Sequence, residues 1–572
     1  MTRQASDRGA RLRAWRLVGL AAALVIWCVP ALGQEIAPAA KSRKDWKPES
    51  PSDPPRRPGP VRTTPPGFSR LGPFNSVQVN VDPEGDNISD DAANEPSIAV
   101  DPTNPSRMAI GWRQFDSVLS NFREGGYGYS VDAGRTWTFP GVLQQNFFRS
   151  DPVLASSPDG EFYYNSLEAG FLIDVFRSTD GGKTWPVSAP AFGGDKAWMV
   201  VDQTDGIGRG NIYCSWSVFA GCCQNRIFTR STDCGVTWME PIQVPTSPIF
   251  GTLAVGPDGE VYVAGVNPND FGQFRIARST NAKDPSVTPT FDLTATVDMR
   301  GVLTLAAGPN PDGLLGQVWV AVDRSGGPRN GWVYMLCSVD PPNSDPLNVK
   351  LSRSTDGGAT WSTTVTINTD MVTGTYQWFG TMSVAPNGRI DVIWNDNRAN
   401  QFQFDSQVFY SFSEDGGFTW SANTAVSVDF DPHVGFPQQN KIGDYYHMIS
   451  DNVGANLAYA ATFNDEQDVY FLRIGDYDCN GNGVSDAVDL SSAAATDFNG
   501  NAIPDSCDGL GDLNCDDRVD QLDVGPMVLA LIDGPAYAQQ FPGCPLPKRD
   551  VDGNGALDSR DLQGFAYLLT AP

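Results

Sequence analysis

Five copies of one eight-residue pattern, S-x-D-x-G-x-T-W, recur along this chain. The first is built on Ser130, Asp132, Gly134, Thr136 and Trp137. The others begin at Ser178, Ser231, Ser354 and Ser413 and end at Trp185, Trp238, Trp361 and Trp420. A decayed sixth copy begins at Ser279, where Asn281 replaces the Asp. Recurrence at about fifty residues is the signature of a repeat architecture. The residue types say what each copy does. Asp bonds nearby backbone N–H groups and Gly allows positive φ, so the pair builds a tight turn. Thr and Trp then open a strand and supply a large apolar anchor.

The same two-strand pattern precedes each copy. An apolar strand ends in a turn, as at Ser97-Ile-Ala-Val and Trp198-Met-Val-Val, and an alternating strand follows, as at Ala109-Ile-Gly-Trp and Ile212-Tyr-Cys-Ser-Trp. Seven such units fit between residues 75 and 475. The fifth places its first strand from Leu303 and its second from Val318, with 323–349 as an insertion. The seventh has a third strand from Asp468 but no copy of the pattern, and 74–81 is a candidate closing strand. Short strands at this spacing imply an all-β fold. Radial repetition protects the sheet edges, so a seven-bladed propeller is expected.

The pattern resembles the Asp-box, or BNR repeat, of sialidase-type β-propellers. That resemblance implies glycan chemistry in the central mouth and leaves six blades as the alternative. It also implies three arginines around a substrate carboxylate, a Tyr nucleophile assisted by an acid, and an Asp acid/base. Residues just before the innermost strands fall in the mouth: Glu95, Arg149, Asp151, Asp195, Lys196, Phe250, Arg300, Tyr376, Trp378, Asp444 and Tyr445, with Arg113 and Arg398 at adjacent loop ends. The catalytic candidates are Glu95, Asp151, Asp444, Tyr376 and Tyr445, and the substrate-binding candidates are Arg149, Arg300, Arg398 and Trp378. The Phe-Arg-Ile-Pro motif of sialidases is absent, and Phe274-Arg-Ile-Ala lies in the wrong unit. Glycoside hydrolysis and non-catalytic glycan or protein binding at a cell surface are both open.

The net charge is −27, and residues 476–572 hold 17 Asp and no Glu against four Lys and Arg. Such acidity argues against nucleic acid as a partner. Concentrated in Asp, it points to a hard cation, Ca²⁺. Four twelve-residue stretches carry oxygen-bearing side chains at positions 1, 3, 5, 9 and 12: Asp478, Asn480, Asn482, Asp486 and Asp489; Asp497, Asn499, Asn501, Asp505 and Asp508; Asp512, Asn514, Asp516, Asp520 and Asp523; and Asp550, Asp552, Asn554, Asp558 and Asp561. This EF-hand-like spacing wraps a chain around one calcium ion. Helical patterns at 522–532 and 559–569 follow the last two loops. Loop and helix, twice, over 510–572 resemble a type I dockerin, which implies a cohesin-like protein partner and an association with polysaccharide breakdown. Asp517 and Ala502 stand where Gly is expected at position 6. The first two loops, over 476–509, leave no room for a useful helix between them and resemble thrombospondin type 3 calcium repeats.

An arginine-rich start, an apolar run at 17–29 and Ala31-Leu-Gly33 read as a secretory signal peptide, residues 1–33, too short to span a bilayer. Residues 34–72 read as a disordered, Pro-rich linker and 73–475 as the propeller. Secretion allows the nine remaining cysteines to oxidise. Pairing of Cys479 with Cys507 and of Cys515 with Cys544 is expected, and the odd count leaves at least one thiol over. With two histidines, His433 and His447, a His-based triad or zinc site is disfavoured. His447, in an apolar strand, reads as a packed residue.

Overall fold

The computed structural model describes residues 53–55 and 62–569, apart from 343–344, 371–372, 401–402, 498, 508, 516–518, 542–543, 545–547 and 549. The expected signal peptide and most of the expected linker lie outside the described residues. So do Asp508, Asp516 and Asp517.

Seven antiparallel sheets follow one another along the chain. Six are consecutive four-stranded meanders, spanning 92–142, 150–190, 198–243, 253–297, 319–366 and 377–425. The seventh takes three strands from 447–475 and two from the other end of the chain. Phe74–Gln78 pairs with Asp468–Gly475, matching Ser76 to Leu472 and Gln78 to Tyr470. Phe68–Leu71 then adds a fifth strand. The protein is a seven-bladed propeller whose ring is closed by its N-terminal strands, and the six-bladed alternative does not hold.

Two expectations are corrected. The linker ends earlier than residue 72, because Thr63–Thr64 already pairs with Asn87–Ile88 and Phe68–Leu71 is in the last sheet. The innermost strand of the fifth blade is Trp319–Val322, and Val333–Val339 is its second strand. The apolar run at 305–307 pairs locally with Asn310–Leu314, so the insertion is this hairpin and not 323–349. Gly308, at φ +49, makes the tight reversal that diverts the run from the blade.

The five recurrent turns share one hydrogen-bond plan. In the first, Ser130 Oγ donates to Asp132 Oδ1 at 2.7 Å and accepts from Gly134 N at 2.9 Å. Asp132 accepts from Thr136 N at 2.9 Å and from Thr136 Oγ1 at 2.5 Å. Each turn packs against the preceding blade. A Cβ at Gly134 would lie 2.3 Å from Phe471 of the last blade, one at Gly182 2.8 Å from Ala109, and one at Gly417 3.0 Å from Leu351. Trp137 lies 5.4 Å from Phe471 of the last blade and Trp185 6.2 Å from Tyr127 of blade one, centroid to centroid. The motif is thus an inter-blade clasp as well as a turn. The seventh blade lacks it, and there Arg389 of blade six reaches the carbonyls of Asp451, Asn452 and Gly454.

After the ring come four short helices, Asp486–Ser491, Val524–Ile532, Gly534–Gln540 and Asp561–Leu568. The first overlaps the end of the first acidic loop and reaches only two residues into the gap expected to lack a helix. Asp486 and Asp489 in its first turn complement the helix N-terminus. Leu510, Leu513, Met527, Tyr537, Val551 and Phe565 form a small core under the last three. Disulfides join Cys479 to Cys507 and Cys515 to Cys544, as expected. A third joins the neighbours Cys222 and Cys223.

Gly134→Val should destabilise the ring by more than about 2 kcal/mol, since it adds a steric clash to a left-handed backbone. Gly326→Ala, at φ +68 with nothing within 4 Å, should cost only about 1 kcal/mol. Urea unfolding of both variants checks the contrast.

Candidate functional site

At five blades a residue in or just before the innermost strand is held in the left-handed region although it is not glycine: Glu95, Asp151, Lys196, Phe250 and Phe379, with φ between 46° and 57°. Such strain is stored where surrounding structure over-determines the backbone. It turns side chains of blades one, two and three toward the ring axis. Blade seven adds Lys441 and Asp444 from the loop before His447–Ser450.

These side chains form one buried ion cluster. Lys441 Nζ lies 2.6 Å from Asp444 Oδ2 and 3.2 Å from Glu95 Oε1. Lys196 Nζ bonds to Asp444 Oδ2 and lies 3.6 Å from Asp151 Oδ2 and 3.8 Å from Glu95 Oε1. Arg113 Nε lies 3.3 Å from Glu95 Oε2 and donates to Asn94 Oδ1 at 2.7 Å. A fourth acidic side chain, Asp195, lies within hydrogen-bond reach of Asp151. No side chain among Glu95, Arg113, Asp151, Lys196, Lys441 and Asp444 is more than 7% exposed. The inserted hairpin docks on the same place: Leu314 N donates to Asp444 Oδ1 at 2.6 Å, and Asn310 Nδ2 donates to Gly443 O at 2.8 Å.

Below the ions lies an aromatic layer. Tyr445 donates its hydroxyl to Pro152 O at 2.8 Å, and its ring meets Trp198 at 5.4 Å. Trp198 also meets Trp319 and His447. His447 Nδ1 accepts from Ile98 N at 3.3 Å and lies 2.9 Å from Ser97 Oγ. Burial pushes this imidazole down to about 3, so it stays neutral.

The cluster splits its carboxyls electrostatically. Burial raises Glu95, Arg113, Lys196 and Lys441 pull it back, Asp444 pushes it up again, and the result is about 7. Burial is the largest single influence on Asp444 and Asp151 and would raise both, but Lys196, Lys441 and Arg113 together outweigh it, and both sit well below the ordinary carboxylate range. Burial and then the Glu95 and Asp151 charges hold the Tyr445 phenol well above its usual value.

The fold therefore brings together Glu95, Asp151, Asp444 and Tyr445 of the sequence candidates, with Asp195, Lys196 and Arg113. It does not gather the three arginines. Arg149 pairs with Asp174 at 2.6 Å in blade two, and Arg398 with Asp396 at 2.6 Å in blade six. Arg300 is exposed beyond blade four, in the stretch once read as leading into an innermost strand. Trp378 is a core residue bonded to Ser406, and Tyr376 packs on Phe404 and Gly308. Lys441 escaped the sequence reading, although it lies three residues before Asp444 in the same pre-strand loop. The hairpin escaped because its apolar run imitates a strand.

In the tail, the loop geometry suits oxygen ligands. Asp478 Oδ1 and Oδ2 accept from Asn482 N and Gly483 N, and both Asn480 and Asn482 turn their amides to Asp489. Asp486 accepts from Cys479 N of the loop through Oδ1 and meets Arg135 of the propeller at 2.9 Å through Oδ2. Asp497 accepts from Asn501 N and Ala502 N, and Asn499 from Asn501 N, while Asp505 is buried. In the third loop Asp523 accepts from Leu513 N, Asn514 N and Asp520 N, and Asp512 pairs with Lys548. In the fourth, carboxylate oxygens of Asp550, Asp552 and Asp561 lie within 4.8 Å of one another. That spacing fits one cation with ligands at about 2.4 Å. Asn554 caps Asp550, and Asp558 pairs with Arg560.

No family model and no curated protein matches the chain. Solved structures do. A protein of unknown function from Dyadobacter fermentans DSM 18053 is 13% identical, with a TM-score of 0.40 over 73% of this chain and 99% of that one. The phage phi92 endosialidase is 8% identical, with a TM-score of 0.40 over 71% and 69%. A Trypanosoma rangeli sialidase is 12% identical, with a TM-score of 0.34 over 72% and 60%.

Glu95 links the cluster to pH. Its folded value is raised from 4.5 to about 7, so its contribution to stability is full below 4.5 and declines as pH rises to about 7. Asp151 and Asp444, held low, act oppositely and lose their contribution only as pH falls below 3.8. The stability difference between wild type and Glu95→Gln should therefore decline between those two values and then level off. Urea unfolding across that range measures it, and a flat difference would remove Glu95 as the titrating group.

Proposed function

We propose that this is a secreted Asp-box propeller that recognises carbohydrate without cleaving it and is presented to a cohesin-like partner by a calcium-dependent, dockerin-like tail. One observation carries the non-catalytic reading. The acids and bases at the ring axis are closed on one another, covered by the inserted hairpin, and shielded from water. A glycosidase needs its two acidic groups, or a Tyr and an acid, facing a space where a sugar can sit. Here the Tyr445 hydroxyl is committed to a backbone carbonyl, and the three arginines implied by the sialidase resemblance lie apart. The disulfides support an oxidising compartment. Among the described residues no helix is long and apolar enough to cross a membrane.

In the tail, Asp478, Asn480, Asn482 and Asp489 would hold one calcium ion and Asp550, Asp552 and Asp561 another, with the two middle loops as further sites. Bound calcium supplies the positive charge that lets these carboxylates be packed together.

A second reading has one observation in its favour. Glu95 is held up while Asp444 and Asp151 are held down, and acid/base pairs in hydrolases are separated in this way. If the hairpin opens, this set is a hydrolytic centre.

Incubation of the calcium-loaded chain with sialosides and with plant and algal polysaccharides separates the two. Retention on a polysaccharide without released sugar is expected. Release that Glu95→Gln abolishes would establish the hydrolase. Chelation of calcium should lower the melting temperature of the tail, and an unchanged melt would remove calcium from the account.

A further inference from the structure

One cavity among the described residues lies away from the ring axis. It lies at the outer edge of blades three and four and measures about 570 Å³. That is within the range of small-molecule sites, about 300–1,000 Å³. One wall comes from the outermost strand of blade three and the turn after it: Gln243, Pro245, Thr246 and Ser247. The other comes from Asn225 and from the loop that carries Thr290 and Phe291.

Three properties of this groove point the same way. First, none of its ten lining residues is ionisable, on a chain of net charge −27. An anionic or cationic ligand would find no counter-charge there. Second, the polar groups are amides and hydroxyls. Each of these both donates and accepts, as a sugar hydroxyl does. Third, Pro245, Pro289 and Phe291 supply an apolar floor, and Phe291 is fixed edge-on to Phe228 at 5.5 Å.

The walls are also held in place. Cys223 and Gln224, just before Asn225, and Thr246 and Ser247 opposite are consecutive non-glycine residues with φ between 45° and 71°. Strained pairs on both sides of one groove are a feature of ligand clamps. The disulfide between Cys222 and Cys223 fixes one of them. The carbonyl of Cys223 accepts from Arg226 N at 3.1 Å, which ties that turn to the blade.

We propose that this groove binds an uncharged oligosaccharide, a stretch of neutral sugar units on a polysaccharide. The proposal rests on the carbohydrate-recognition reading and moves the contact from the closed ring centre to the blade edge. Hydroxyls would exchange hydrogen bonds with Asn225, Gln243, Thr246 and Ser247, while the apolar face of a ring lies on Phe291 and the prolines.

Affinity electrophoresis of the calcium-loaded chain in gels containing β-glucan, xylan or galactomannan, with polysialic acid and alginate as anionic counterparts, tests it. Retardation by at least one neutral polysaccharide and by neither anionic one is expected. Phe291→Ala should weaken that retardation by about tenfold or more. Gln243→Ala paired with Thr246→Ala, both exposed and remote from the core, should also weaken it with the melting temperature unchanged. Two results would overturn the groove: retardation that all these variants retain, or retardation by anionic polysaccharides alone. Retention in the variants would leave carbohydrate recognition standing and place it elsewhere. If the native chain binds no polysaccharide, both readings fall together.

Discussion

The ring closes around buried charge. Arg113, Lys196 and Lys441 meet Glu95, Asp151 and Asp444 where blades one, two, three and seven converge. Taking six ions out of water is costly, and replacing a buried ionic group by well-packed apolar residues is often neutral or stabilising. The cluster is therefore better explained by what it specifies. Blade one brings an acid and a base, blade two an acid, blade three a base and blade seven both. The same atoms seat the inserted hairpin through Leu314 N and so decide that the ring centre is shut. Of these three acids Glu95, raised to about 7, takes up a proton most readily.

Much of the scaffold was legible in the residues. The turn pattern revealed the blades because Asp, Gly and Trp each do a local job that no other residue type does as well at that position. The structure adds that the jobs are also inter-blade, since Gly134 and Trp137 sit on Phe471. The closing strand at Phe74–Gln78 was legible because an odd strand is needed where the last unit runs out. The fifth blade was misread for a physical reason. Periodicity marks a strand but not its partner, and 305–307 pairs with its own hairpin instead of a blade. Alignment to the start of each innermost strand found Glu95, Asp151, Lys196 and Asp444. It could not show that they neutralise one another, because contact across four blades is a tertiary fact. The edge groove left no sequence signal, since amides, hydroxyls and prolines in loops look like any turn.

The tail is not simply hung on the ring. Arg135, in the first recurrent turn, pairs with Asp486 and lies over the Tyr477 ring at 4.0 Å, while Ser106 donates to Cys479 O. The first acidic loop is thereby fastened to the junction between the first and last blades. Asp486 divides its oxygens, Oδ2 meeting Arg135 and Oδ1 accepting from Cys479 N of its own loop, so one position of the ligand pattern also serves the interface.

The most direct test of the cluster's role is the stability of Lys441→Met. The substitution keeps much of the side-chain volume and removes one cation, leaving Glu95 and Asp444 under-compensated in a dry site. Equilibrium urea unfolding at neutral pH should show a loss of about 3–5 kcal/mol. A second variant that also replaces Asp444 with Leu should recover part of it. Stability unchanged to within about 0.5 kcal/mol in Lys441→Met would mean that water reaches these charges, and that the ring centre is open rather than closed.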